Sequence, residues 1–118
     1  MTTLLVAIGG LGGVLARFGI GRLTEHHTTL IWSTVAINIV GSFLLGLLTA
    51  TRWFSRDVRE GIGVGFLGGF TTFSTFSVQA VIEVDVGREG RALLYVAVSV
   101  IGGIAAGALG YFLGRRIA

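Results

Sequence analysis

Neither cysteine nor proline occurs among the 118 residues, lysine is absent, and all nine basic side chains are arginine. The missing cysteines exclude disulfides and thiol chemistry. Charge is scarce as well: 13% of residues are charged, about half the share near 25% that is usual in soluble domains. A net charge of +3, carried by arginines near segment ends, gives no basic patch for nucleic acid. No nucleophile–base pair or metal-ligand cluster stands out, so no enzymatic activity is expected. The adjacent His26 and His27 lie in a charged turn and read as solvated. The chain is filled instead with apolar residues, at 53% of the total.

A membrane-spanning helix needs about 20 mostly apolar residues. Four windows qualify: 4–23, 30–50, 61–84 and 92–113. Charge collects between them, at Glu25, at Arg52 to Glu60 and at Asp85 to Arg91, and again at Arg115 and Arg116. The first window lacks a basic leader and an Ala-x-Ala-like cleavage site, so it reads as a retained span and not as a signal peptide. The expected architecture is all-α: one four-helix integral membrane domain over residues 1–118. With both termini on one side, that side carries Arg52, Arg56, Arg59, Arg115 and Arg116. The other carries Arg22, Arg88 and Arg91, with Arg17 leaning toward it. Basic residues in short loops set orientation. So weak a bias permits insertion both ways round, and hence an antiparallel dimer; a single orientation with cytoplasmic termini is the alternative.

Glycine is abundant, at 20 residues, and several pairs stand four apart, the spacing that lets helices approach closely in lipid. Gly68 and Gly69 differ from the rest because they stand directly before a run of hydroxyls. The sequence GFTTFSTFS over 69–77 holds three phenylalanines, five hydroxyls and no charge. Threonine hydroxyls compete for backbone groups, so a break is expected near the middle of the third helix. Irregular backbone at membrane depth survives only inside protein or along a cavity. If helix resumes near Thr72, Phe73 and Phe76 share a face, beside Ser74, Thr75 and Ser77. Ring edges are electropositive and hydroxyl hydrogens add directed bonds. Together they suit a small, strongly hydrated anion without the full charge that would trap it.

Each remaining helix offers a polar spot. Asn38 lies mid-span in the second, Tyr95 and Ser99 share a face of the fourth, and Arg17 lies near the end of the first, placed to snorkel or to light an anion vestibule. Glu83, at the end of the third span, reads as interfacial. A proton-coupled cation carrier would need an intramembrane carboxylate. A small multidrug-type exporter would need one in the first helix, where 4–23 holds no acid. A non-transporting membrane subunit would explain the glycines but not the Phe-hydroxyl run.

These motifs resemble the Fluc or CrcB family of small bacterial fluoride channels along essentially the whole chain. GGLGGVLARF (9–18) is similar to the family's first-helix motif, WSTVAINIVGSFLLG (32–46) to its second, and GFLGGFTTFSTFS (65–77) to its third, the most specific. Tyr95 and Ser99 match the fourth. Val14, Phe18, Ser33 and Gln79 depart from the usual alanine, tyrosine, glycine and glutamate. The resemblance implies an antiparallel, dual-topology dimer in the cytoplasmic membrane, formed with itself or with a paralogous chain. It implies two fluoride pores lined by Phe73 and Phe76, with Asn38, Ser74, Thr75, Ser99 and Tyr95, and with Arg17 at the vestibule. It further implies a structural, untransported sodium ion held by the carbonyls of Gly68 and Thr71 from both subunits, and passive export that lowers intracellular fluoride.

Overall fold

The computed structural model describes residues 1–24 and 27–117. Glu25, His26 and Ala118, and the side chains of residues 27–30, lie outside the described residues, and with them the expected solvation of the histidine pair. The order of elements is α1 (Thr2–Leu23), α2 (His27–Ala50), α3 (Arg56–Glu60), a π-helical segment (Gly61–Leu67), α4 (Gly68–Phe70), α5 (Ser74–Asp85) and α6 (Glu89–Ile117). Among the described residues four helical rods are long and apolar enough to cross a membrane: Thr2–Leu23, Ile31–Ala50, Arg56–Asp85 and Glu89–Ile117. The chain is an all-α, multi-pass membrane protein.

The rods outrun the apolar windows at several ends. The third starts at Arg56 and not near Gly61, because Ser55 accepts a hydrogen bond from the Val58 N–H and caps a charged first turn. The fourth starts at Glu89 and continues through Arg115 and Arg116. Arginine and glutamate are good helix formers, so hydropathy marks where a helix enters lipid and not where it begins.

Close backbone approach organises the packing. A Cβ on Gly13 would collide with the Phe66 carbonyl oxygen, and one on Gly110 with that of Phe43. So α1 lies against the π-helical segment and α2 lies against α6. In lipid, van der Waals contact of this kind replaces the hydrophobic drive. Alternate glycines at Gly61, Gly63 and Gly65 fill the π segment. Gly61 and Gly65 press on Leu5 and Val6 of α1. A small sealed cluster of Ile31, Val35 and Tyr95, flanked by Phe76, ties α2, α5 and α6 together.

Between α5 and α6 the Gly87 N–H donates to the Val84 carbonyl and the Arg88 N–H to the Glu83 carbonyl, with Gly87 at φ 84°. This pair of bonds around a left-handed glycine closes the helix end. It also carries Arg88 back over Glu83. Glu83 is 4% exposed, with the Arg91 Nε at 3.3 Å and the Arg88 Nε at 3.5 Å from its carboxylate. The acid is therefore inside the protein at the end of its span, neutralised by two guanidinium groups.

Candidate functional site

The third rod breaks at Thr71–Phe73, a few residues beyond the glycine pair. Helix persists through Gly68–Phe70 because glycine, though a poor helix former, is held there against α1: a Cβ on Gly69 would lie 2.7 Å from the Gly10 carbonyl oxygen. Thr71 then turns extended, at φ −86° and ψ 159°, and its hydroxyl donates back to the Leu67 carbonyl at 2.9 Å. Thr72 carries the chain across, and its hydroxyl accepts the Thr75 N–H at 3.3 Å, which starts α5.

A break at this depth strands backbone groups that lipid cannot satisfy. Two polar side chains from other helices answer for part of the deficit. Arg17 of α1 donates its Nε–H to the Gly69 carbonyl at 3.1 Å. That carbonyl is at the negative end of a helix, where a cation is favoured. Asn38 of α2 donates Nδ2–H to the Thr72 carbonyl at 2.9 Å and accepts the Thr72 N–H on Oδ1 at 2.9 Å. The carbonyls of Gly68 and Thr71 accept no hydrogen bond from the described residues.

Beside the break lies an open groove of about 700 Å³, walled by α2 and α6 and floored by the π segment and the break. Asn38, Phe73, Phe76 and Ser99 converge on it from three rods, with Gly68 and Thr71 on the floor and no charged side chain in the lining among the described residues. The Phe73 and Phe76 rings touch, with centroids 5.8 Å apart and planes inclined at 52°. Phe73 is 78% exposed. Phe76 packs on Tyr95, centroid to centroid 5.1 Å. The Ser99 hydroxyl is buried and has no hydrogen-bond partner among the described residues.

The other candidate residues lie outside the lining. Tyr95 is sealed at 0% exposure behind Phe76, its hydroxyl donating to Gln79 Oε1 at 2.8 Å. Ser74 is exposed on the first turn of α5 and Thr75 is half-buried there. Arg17 stays at its carbonyl cap on the α1 side. Sequence reasoning missed Thr72, whose backbone is the most heavily bonded part of the break. Its signal was present, since an asparagine buried in lipid needs partners for both ends of its amide. The pairing itself depends on how two distant segments meet.

The groove holds apolar rings, several hydroxyls, among them the unpaired one of Ser99, and amide hydrogens, without carboxylates or cations among the described residues. Such a lining can replace water around a small anion and then release it. A family model described as CrcB-like protein, Camphor Resistance (CrcB), matches residues 4–111. The chain is 44% identical over 124 residues to a Novosphingobium aromaticivorans protein named Fluoride-specific ion channel FluC, covering 98% of this chain and 94% of that one. A Bacillus thuringiensis protein named Fluoride-specific ion channel FluC 1 is 43% identical over 118 residues, or 94% and 85% of the two chains. A Thermus thermophilus FluC is 42% identical over 119 residues, covering 97% and 95%.

Proposed function

Because the chain belongs to the CrcB family, we propose that it is a fluoride-selective channel through which fluoride leaves the cell passively across the cytoplasmic membrane, lowering its internal toxicity. The observation that carries the reading is the convergence of Asn38, Phe73, Phe76 and Ser99 on one uncharged groove. Fluoride is small and strongly hydrated, so it needs directed hydrogen bonds in exchange for water. The free Ser99 hydroxyl and the second Nδ2 hydrogen of Asn38 supply them, and ring edges add a weak positive field. Among the described residues no fixed cation lines the groove to hold the ion back. Ser74, Thr75 and Tyr95 act with this lining, Tyr95 as the backing of Phe76. Arg17 gives the pathway a positive approach.

The groove is open along one side, and a second copy of this chain, inserted the opposite way, would close it into two pores per dimer. On the axis of such a pair the carbonyls of Gly68 and Thr71 from both chains would meet. Neutral oxygens without hydrogen-bond partners suit a monovalent cation better than a divalent one, which favours carboxylates. They would hold a structural sodium ion, whose charge would pin the two broken helices together.

Proteoliposomes holding only this chain and loaded with potassium fluoride test the reading. Opening a potassium path with an ionophore should release fluoride to an external electrode, while chloride-loaded vesicles retain their contents. Release of neither ion, or of both at similar rates, would overturn it.

A further inference from the structure

Asn38 engages both backbone groups of a single residue, with each of its two bonds to Thr72 at 2.9 Å. A planar amide bonded to both the N–H and the C=O of one residue in this way reproduces the pairing of neighbouring strands, with a side chain standing in for a strand. In an unbroken helix the Thr72 N–H would donate to the Gly68 carbonyl; here it is turned to α2 instead. The Thr72 hydroxyl accepts the Thr75 N–H, so the same residue is tied to the first turn of α5. Thr72 is thus fixed from both sides, and it immediately precedes Phe73.

We propose that Asn38 is a positioning residue that splints the break, setting the backbone at Thr72 and thereby the direction in which the Phe73 ring enters the groove. The two rings of the pair are held differently. Phe76 leans on the sealed Tyr95, so its place is set by packing. Phe73 is 78% exposed and touches Phe76. With little side-chain packing of its own, it takes its order from the backbone that carries it. Its carbonyl side is tied into α5 by the Ser77 N–H and hydroxyl; its N-terminal side, at Thr72, has left the helix, and there Asn38 is the side chain from another rod that bonds it. No other residue type fits the task. Aspartate keeps the acceptor but loses the donor and sets a negative charge against the Thr72 carbonyl. Leucine keeps the shape and loses both bonds, and glutamine is a methylene too long. The consequence for ion selection rests on the fluoride-channel reading; the splint itself does not.

Two measurements made without fluoride test it. The first is hydrogen exchange in the native protein in nanodiscs. The Thr72 N–H is paired, whereas its neighbour, the Phe73 N–H, has no partner among the described residues. Thr72 should exchange at least about tenfold more slowly than Phe73, the protection expected of a maintained hydrogen bond. Equal exchange would overturn the proposal. The second places 3-fluorophenylalanine at position 73 and reads its 19F spectrum. The native chain should give one narrow resonance. Asn38→Ala and Asn38→Asp should shift it and broaden or split it, while Ser99→Ala leaves it unchanged. An unmoved Phe73 resonance in a folded Asn38 variant overturns the splint, because a residue that only donates to the ion would not move the ring. If neither variant folds, the native exchange comparison alone decides. Failure of fluoride release in proteoliposomes would remove the channel reading without touching either result.

Discussion

Phe73 and Phe76 are a matched pair in sequence and an unmatched pair in support. Isoleucine keeps bulk and apolarity at either position and removes the aromatic quadrupole. Phe73→Ile removes a ring that is 78% exposed in the single chain, so stability should hardly change while fluoride efflux collapses. Phe76→Ile also unpacks Tyr95 and should cost about 1–2 kcal/mol of stability as well. Efflux kinetics beside chemical denaturation of each variant separate the effects; full efflux in both would return the rings to packing. Ser99 offers the opposite trade. Its buried hydroxyl has no partner among the described residues, and an unsatisfied buried polar group costs about 1–3 kcal/mol. Ser99→Ala should therefore leave the protein as stable as before or slightly more so, while efflux falls. A loss of stability on that substitution would mean the hydroxyl is bonded and unavailable to an ion.

At the scale of elements, the four spans and the interruption of the third were legible because they rest on local chemistry: long apolar runs, and threonines that bond back to the chain. The exact residues of the break were not, because helix continues past the glycine pair where Gly69 packs on α1, a contact between segments more than fifty positions apart. The π segment was likewise hidden, since glycines at 61, 63 and 65 announce close approach but not a change in helical hydrogen bonding. Of the candidate site, the grouping of Asn38, Phe73, Phe76 and Ser99 came with the family resemblance and not from spacing, and these four meet; Tyr95, grouped with them, is behind the lining, and Arg17 caps a carbonyl. Two glycines that look alike in sequence now separate. A side chain at Gly13 would strike the Phe66 backbone, whereas one at Gly68 finds only the Gly63 carbonyl, at 3.7 Å, and opens toward the groove. Gly13→Leu should abolish folding in detergent. Gly68→Leu should fold, favour helix at the break and block efflux by filling the groove floor. Size-exclusion profiles and efflux on the two variants check the contrast; equal losses of assembly would refute it.

The whole molecule carries its charge at two ends. Thr2 donates to Asp57 of α3, and a Cβ on Gly114 would lie 2.8 Å from that of Ala50. So both termini and the α2–α3 connection share one end, with Arg52, Arg56, Arg59, Arg115 and Arg116. Arg22, Arg88 and Arg91 belong to the other. Arg88 and Arg91 are drawn onto Glu83, but acidic residues contribute little to orientation, so the pairing leaves the tally near balance. A chain so nearly balanced should insert in both directions, and the open groove then has an inverted copy available to close it. A reporter fused after Ala118 that is active on one side only should give signal from each compartment in separate fusions. Two lysines added after Ala118 extend the heavier end, should drive most chains into one orientation, and should lower efflux several-fold by depleting inverted partners. Co-expression with a chain in which Arg115 and Arg116 are both replaced by glutamine, biased the other way, should restore it. That rescue distinguishes a shortage of inverted partners from simple damage at the C-terminus. One orientation in the native chain, together with full efflux, would rule out the antiparallel pair and leave the groove to be closed by some other arrangement of this chain.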